Sequence, residues 1–282
     1  MVDGDSIHAL TKGSILTRLV MTDTAANRYD SRNIETMELV YGKGYLSAGG
    51  DEEVARIVST VTIKGKDILD IGCGLGGAAV TLARDRQARH VHGLDIDSGV
   101  IERAVELVEA AGIAEQVTLS QFDGDVLPYA DDRFDVVYVT ATTCHLEDLA
   151  GFFRESCRVL RADGWIVGGE WFKAASNAAF QRWDSLLRER GLNFHFVSRQ
   201  QFETALSTSG FEQVSAVDRT QATSKLTRDY LRRVETDLRG ELLAKLGAEG
   251  LDSFLAWTRS RYDALANGGM YYGHFRARKL AT

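Results

Sequence analysis

A glycine-rich turn between a predicted strand and a predicted helix constrains the fold of this chain most. Residues 72–77 read GCGLGG and fit the pattern G-x-G-x-x-G. Residues 68–71 before the turn, three of which are apolar, predict a buried strand, and residues 78–84 after it predict a helix. Glycines let a ligand approach the backbone of such a turn, and the start of the helix offers N–H groups without partners. The turn therefore predicts a strand–turn–helix unit that binds a nucleotide-like ligand.

The residues after this turn continue the alternation of strands and helices. Ile101, Ala104 and Val108 fall on one face of a predicted helix. Parallel strands joined by such helices form a sheet that is covered on both faces. The predicted fold class is therefore α/β, with a Rossmann-like, mostly parallel seven-stranded sheet and helices on both faces. The predicted strands are residues 68–71, 90–95, 117–120, 134–139, 165–169, 211–218 and 270–278.

Two mainly helical parts flank the predicted core, residues 66–220, within one integrated domain. Residues 1–65 predict an N-terminal helical lid or arm, and residues 221–282 predict a helical insertion followed by the closing strand. An insertion just before the last strand can cover the carboxyl ends of the sheet, where open α/β folds bind ligands. The apolar positions of the first twenty residues suit an arm that packs either on its own domain or on a second copy in a homo-oligomer.

The amino-acid composition limits the classes of molecule that this chain is expected to bind. The chain has 40 acidic and 33 basic residues and a net charge of -7, which argues against nucleic acid and against an anionic membrane surface as partners. Neither a membrane-spanning run nor a signal-peptide core is present. The three cysteines have no metal-like spacing and fit a reducing compartment. We therefore expect a cytoplasmic protein without a bound metal, and we assign none to His90 and His92.

Acidic residues around the turn separate two classes of cofactor. Asp95 ends the second predicted strand, where a carboxylate accepts hydrogen bonds from ribose hydroxyls. This feature and the glycine turn fit a nicotinamide cofactor or S-adenosylmethionine (SAM). Asp70, in the strand before the turn, would repel a pyrophosphate but tolerates a cationic ligand. Together with Asp123, it favours SAM over the cofactor of an NAD-dependent oxidoreductase.

With the strand order, these residues resemble class I SAM-dependent methyltransferases over roughly residues 51–218. The resemblance implies that Asp95 and Ile96 hold the ribose and the adenine, and that Asp123 and Gly124 meet the amino edge of the adenine.

A second resemblance is more particular. Residues 40–50 (VYGKGYLSAGG) and 272–279 (YGHFRARK), taken with the glycine turn, are similar to the phosphoethanolamine N-methyltransferase family. This resemblance implies that His145 pairs with Tyr29 in the active site. The complete set of predicted SAM contacts is Leu46, Ser47, Asp70, Gly72, Gly74, Asp95, Ile96, Asp123, Gly124 and Thr140.

The chemistry of amine methylation gives these residues a role. A protonated amine has no lone pair, so transfer of a methyl group needs a group that removes a proton. An imidazole such as that of His145 can do this near neutral pH, and Tyr29 could orient it or close the site. In the alternative interpretation, His145 caps a helix and Tyr29 is a packing residue. Glu170 is a further catalytic candidate: it is either a base for a carbon acceptor or a surface carboxylate.

The acceptor is less clear from the sequence. At places where the family grips a phosphate, this chain has Ala141, Trp171, Leu192 and Phe194, of which Trp171 and Phe194 are predicted to bind the acceptor. Arg259 or Arg261 could remain as an anchor. We therefore expect a small amine other than phosphoethanolamine. Three alternatives stay open: carbon or oxygen methylation of a natural product of isoprenoid or alkaloid type, oxidoreduction with NAD, and a SAM-binding scaffold without catalysis.

Overall fold

The structure is a computed structural model that describes residues 31–280. The predicted N-terminal arm and Tyr29 lie outside the described residues. The strands are β1 (Asp67–Ile71), β2 (His90–Asp95), β3 (Val117–Gln121), β4 (Phe134–Thr140), β5 (Leu160–Lys173), β6 (Phe211–Asp218) and β7 (Met270–Lys279). The helices are α1 (Ser31–Tyr41), α2 (Gly50–Ile57), α3 (Gly77–Val80), α4 (Ser98–Ala110), α5 (Leu149–Val159), α6 (Ala178–Glu189), α7 (Arg199–Thr208), α8 (Thr220–Glu235) and α9 (Arg239–Ala266).

The seven strands form one sheet in the order β3-β2-β1-β4-β5-β7-β6. The pairs among β1 to β5 are parallel, whereas β7 runs antiparallel to both β5 and β6. This arrangement confirms the predicted Rossmann-like, mostly parallel sheet. The strand order reverses between β1 and β4, and in such sheets the crevice at the carboxyl ends of the strands binds ligands.

Apolar side chains bury both faces of the sheet. Every residue of β1 is buried, because β2 and β4 flank it and helices cover both of its faces. One core cluster includes Leu69, Val137 and Phe153, and the other includes Ile68 and Leu82. Ile68 and Leu69 therefore point to opposite faces, as the alternation of side chains along a strand requires.

A third cluster joins the helical parts to each other. Val40 and Tyr41 of α1 pack with Tyr230 of α8 and with Phe254 and Leu255 of α9. This contact holds α1 against α8 and α9. The boundaries at residues 66 and 220 and the function of the flanking parts as a lid stay predictions.

The structure corrects three details of the predicted elements. The helix after the glycine turn is only α3, followed by a π-helical turn at Thr81–Asp85. β5 is longer than predicted because it pairs with β4 on one side and with β7 along its carboxyl half. The helices predicted before the closing strand are α8 and α9, and Gly247, with a φ of 72°, interrupts α9. Within residues 31–280, no helix is both long and apolar enough to cross a membrane.

Candidate active site

The glycine turn is held from both sides by close backbone contacts. The N–H groups of Gly72 and Cys73 donate to the carbonyl of Leu94, at 2.8 and 2.9 Å. Gly77 N donates to the carbonyl of Gly44 at 3.1 Å, and a Cβ at Gly77 would lie 2.6 Å from that oxygen. A side chain at Gly77 would therefore push away the loop at residues 42–49, which carries the predicted cofactor residues Leu46 and Ser47.

Asp95 lies beside the turn, at the end of β2. Its Oδ2 accepts a hydrogen bond from Gly74 N at 2.9 Å, and its Oδ1 accepts one from Asp97 N at 3.2 Å. Burial raises the pKa of Asp95 above its ordinary value. A carboxylate at this edge of the sheet has the position that a ribose-binding acid needs.

Asp70 is a buried carboxyl group on β1 that forms no ion pair with the residues that the structure describes. It is 1% exposed, and its Oδ2 has no hydrogen-bond partner among the described residues. Burial, together with the charge of Asp95, raises the pKa of Asp70 to about 8. A bound cation would stabilise this carboxylate, whereas a pyrophosphate would add a further negative charge. The group therefore fits the ammonium of SAM and does not fit a dinucleotide.

The other predicted cofactor residues lie along the same edge of the sheet. The Leu46 side chain packs over Gly74. Thr140 ends β4, with its hydroxyl buried at the end of the strand. The Ile96 carbonyl accepts a hydrogen bond from Gln121 at 3.1 Å. The two remaining residues, Asp123 and Gly124, lie in the loop after β3.

A cavity of about 430 Å³ lies between this edge of the sheet and the helical parts. Among its lining residues are Leu46, Ser47, His145, Trp171, Arg190 and Arg261. Further apolar residues complete its wall: Leu192, Phe194, Phe196, Trp183, Phe254 and Trp257. The cavity thus joins predicted cofactor residues to the predicted catalytic histidine and to the predicted acceptor residues Trp171 and Phe194. Among the described residues, no Asp or Glu lines it.

His145 ends a short 3-10 turn, Thr143–His145, that follows β4. Its ring meets the ring of Phe194 edge to face, with the two centroids 4.4 Å apart. The N–H of His195 donates to the carbonyl of Cys144 at 2.7 Å and so ties residues 191–198 to this turn. The imidazole therefore stands in the cavity wall, between the cofactor loop and the aromatic residues.

Glu170 lies beneath this turn and does not line the cavity. It is only 2% exposed, so it is not a surface carboxylate. One carboxyl oxygen accepts hydrogen bonds from Thr143 N (2.9 Å), the Thr143 hydroxyl and Cys144 N (3.3 Å). The other accepts one from Trp171 N at 2.7 Å. Burial raises the pKa of Glu170. The carboxyl group thus connects the turn that carries His145 to the strand that carries Trp171.

The structure separates the two arginines that the sequence left as alternatives. Arg259 is exposed and pairs with Glu235 at 2.6 Å, outside the cavity. Arg261 is 6% exposed and donates to the Tyr41 hydroxyl at 2.9 Å, while its Nε has no partner among the described residues. Its guanidinium lies 5.3 Å from the ring of Trp257 and 6.0 Å from that of Trp171. Arg261 is therefore the cationic group of the cavity on α9.

Sequence reasoning missed Arg190, which follows α6. Its guanidinium donates to the carbonyl and the hydroxyl of Ser253, both at 2.6 Å, and lies 5.6 Å from the Trp257 ring. Burial lowers the pKa of Arg190. The signal was present in the sequence: Trp183, Leu187 and Arg190 have the spacing i, i+4, i+7, which places them on one helix face.

The described residues contain no cluster of three or more His, Cys, Asp or Glu side chains that could hold a metal ion. His90 instead meets the hydroxyl of Thr118 at 2.8 Å, and burial lowers the pKa of His92 to about 4.

Comparison with known proteins gives three findings. Residues 69–168 match the profile of a family described as "Methyltransferase domain". The chain is 28% identical over 253 residues to phosphoethanolamine N-methyltransferase 1 of Arabidopsis thaliana, an alignment that covers 89% of this chain and 50% of that protein. It is 30% identical over 243 residues to phosphoethanolamine N-methyltransferase 1 of Triticum aestivum, which covers 86% and 45%. The chain thus spans about half the length of the curated relatives it matches.

A solved structure has the same fold. Phosphoethanolamine N-methyltransferase 2 of Haemonchus contortus, in complex with phosphomonomethylethanolamine and S-adenosylhomocysteine, superimposes with a TM-score of 0.82 at 22% identity. The superposition covers 92% of this chain and 60% of that one.

Proposed function

We propose that this chain, which carries a class I SAM-dependent methyltransferase domain and resembles the phosphoethanolamine N-methyltransferases, transfers a methyl group from SAM to an amine nitrogen of a small molecule that also carries an anionic group. One observation carries the proposal. A single cavity is lined by Ser47 on the cofactor side, by His145, and by two guanidinium groups, those of Arg190 and Arg261.

Each of the predicted cofactor residues would bind a different part of SAM. SAM supplies an electrophilic methyl group when it is bound. The Asp70 carboxyl would pair with its ammonium, and Asp95 would accept hydrogen bonds from its ribose. Leu46 and Ser47 would cover it from the loop that packs on the glycine turn. In this arrangement, catalysis comes mainly from orienting the attacking nitrogen in line with the methyl carbon.

His145 is the proton acceptor in this proposal. Its imidazole takes the proton from the acceptor's ammonium, which frees the nitrogen lone pair for attack. Tyr29 keeps its proposed place as the partner of His145, although it lies outside the described residues. Glu170 does not line the cavity, and its hydrogen bonds hold the backbone and side chains of the turn at residues 143–144 and the backbone of Trp171. This geometry favours nitrogen over the carbon or oxygen acceptors for which Glu170 was considered as a base.

The charge of the cavity suggests an anionic group on the acceptor. Arg190 and Arg261 bring two positive charges to a wall in which none of residues 31–280 supplies a carboxylate. An amine without a compensating anion would be repelled there, whereas a phosphate or a carboxylate would form charge-assisted hydrogen bonds. We propose an acceptor other than phosphoethanolamine itself, because most of the wall is apolar. Contact with a second copy through the N-terminal arm stays a proposal too.

The test compares two arginines that lie two residues apart. Arg261→Met removes the charge but retains much of the length of the side chain, whereas Arg259→Met changes an exposed ion pair. A hydrogen bond to a charged group contributes about 1.5–3 kcal/mol, so Arg261→Met should raise the KM for an anionic amine by about 10–100-fold. Arg259→Met should leave it unchanged. Mass spectrometry of deuterated methyl transfer from labelled SAM measures both.

The panel of acceptors contains amines that differ only in the anion, such as ethanolamine and phosphoethanolamine, or phenethylamine and phenylalanine. Equal transfer to the charged and uncharged members would contradict the proposed anionic group. Binding of S-adenosylhomocysteine without transfer to any amine would favour the scaffold alternative.

A further inference from the structure

The proposed function does not account for the aromatic part of the cavity wall. Trp183 of α6 and Trp257 of α9 stack at a centroid distance of 6.0 Å, with 16° between their planes. Phe194 and Phe196, from the segment between α6 and α7, meet edge to face at 5.3 Å. These four rings come from three parts of the chain and line one cavity. The fold therefore assembles an aromatic surface next to His145.

Resting on the proposed function, we infer that the acceptor carries an aromatic ring in addition to its amine and its anionic group. A cavity of about 430 Å³ is within the size range of sites for drug-sized ligands, about 300–1,000 Å³. A two-carbon amine phosphate would leave most of this wall uncovered. An aromatic ring would bury apolar surface against Trp257 and Phe196 while its charged groups reach Arg190 and Arg261.

The charges around Trp257 exclude the other common use of such rings. Aromatic cages bind methylated ammonium groups on the faces of their rings. Here Arg190 and Arg261 already lie 5.6 and 5.3 Å from the Trp257 ring. A third cation would add to this repulsion, because no carboxylate lines the cavity in the described part of the chain. A neutral ring adds no charge there.

The hydrogen-bonding groups of the wall agree with this class of ligand. The indole N–H groups of Trp183 and Trp257 and the Nε of Arg261 are buried and have no acceptor among the described residues. The guanidinium groups of Arg190 and Arg261, which line the cavity, are donors without acceptor capacity, so a ligand that supplies acceptor oxygens complements them, whereas a further amine does not. The acceptor class is thus an aryl amine with a phosphate or a carboxylate.

The experiment uses two matched pairs of acceptors with the full chain and SAM. Phenylalanine and alanine share a carboxylate, and O-phosphotyramine and phosphoethanolamine share a phosphate; only the first member of each pair has a ring. Full burial of an aromatic side chain contributes about 1.5–3 kcal/mol. We therefore expect the aromatic member of the active pair to have a kcat/KM about 10–100-fold higher. The pair that reacts identifies the anion.

Two variants test whether the aromatic side chains of the cavity wall cause this preference. Trp257→Leu and Phe196→Leu should each lower kcat/KM for the aromatic member severalfold more than for the aliphatic member, and so reduce the preference. Trp165→Leu, on β5 and outside the cavity, should leave the preference unchanged.

Equal or better transfer to the aliphatic members would overturn the inference and leave the methyltransferase proposal standing. So would bound S-adenosylhomocysteine with no transfer to either aromatic compound. Absence of S-adenosylhomocysteine binding would instead overturn the proposed function.

Discussion

His145→Ala is expected to lower kcat by about 10²–10⁴-fold while the affinity for S-adenosylhomocysteine changes less than twofold. That range is typical of the loss of a general base that takes a proton in the transition state. His145 stands in the wall of the acceptor cavity, whereas Asp70 and Asp95 at the glycine turn remain in place. Fixed-time assays of methyl transfer measure kcat, and calorimetry measures the affinity for S-adenosylhomocysteine.

His195→Ala is the matched control for this prediction. His195 lies close to the same turn, since its N–H donates to the carbonyl of Cys144, but its ring faces Glu147 at 3.7 Å and does not line the cavity. We expect its replacement to leave kcat within twofold. An unchanged rate in His145→Ala, or an equal loss in both variants, would remove His145 from the role of proton acceptor.

Glu170→Gln is expected to lower kcat by about tenfold and to leave the shape of the pH–rate profile intact. The carboxyl group accepts hydrogen bonds from three backbone N–H groups and from the Thr143 hydroxyl, and an amide at the same place must aim its NH₂ at one of those donors. An unpaired buried donor costs about 1–3 kcal/mol, so the turn that carries His145 should shift. The same strain should lower the melting temperature. Small displacements of a positioned group reduce the rate of transfer strongly.

The pH–rate profile distinguishes a role of Glu170 in positioning His145 from a role as the catalytic base. If Glu170 were the base of a carbon methylation, Glu170→Gln would abolish the pH-dependent limb of the profile rather than lower the whole curve. Thr143→Val provides a graded control, because it removes only the hydroxyl donor and leaves the three backbone N–H donors in place. We expect it to lower kcat by a smaller factor than Glu170→Gln. Full activity in Glu170→Gln would contradict the positioning role.

The sheet could be predicted because its determinants are local in the sequence. The mostly apolar residues 68–71 and the glycines that follow them allow few alternatives to a strand–turn–helix unit. For the same reason, the sequence pattern could predict that Asp70 and Asp95 lie near the carboxyl ends of β1 and β2. The structure has both residues there, beside the turn. The resemblance added His145, which no spacing rule would have selected, and the structure places it in the cavity.

The acceptor side depends on contacts between distant segments, which the sequence pattern does not encode. Arg259 and Arg261 are indistinguishable in sequence. Arg261 is buried because α1 supplies the Tyr41 hydroxyl to it across 220 positions of the chain. Glu170 could be read as a base or as a surface group, but its strand is central and the 143–145 turn folds onto it. Arg190 was missed because it lies just beyond the end of α6. Its spacing from Trp183 nevertheless places both residues on one face of the helix.

Asp70 gives the binding of the cofactor a dependence on pH. Without ligand its pKa is about 8, so the carboxyl group is mostly protonated at pH 7. An ammonium group bound beside it favours the ionised form and lowers this pKa. Binding at pH 7 should therefore release up to one proton, and the affinity should rise with pH until about 8 and then level off.

Calorimetric titration of the chain with S-adenosylhomocysteine tests the central claim most directly, with Asp95→Ala and Asp97→Ala as the compared variants. Asp97 caps α4 through Val100 N at 2.9 Å, so its replacement removes a nearby carboxylate that we do not assign to the ribose. We expect micromolar binding by the wild-type chain with release of a proton at pH 7. Asp95→Ala should weaken it by about 100-fold, since the two ribose hydroxyls lose a charged acceptor, and Asp97→Ala should change it by less than threefold. No binding by the wild-type chain, or equal binding by Asp95→Ala, would contradict the assignment of this site to SAM.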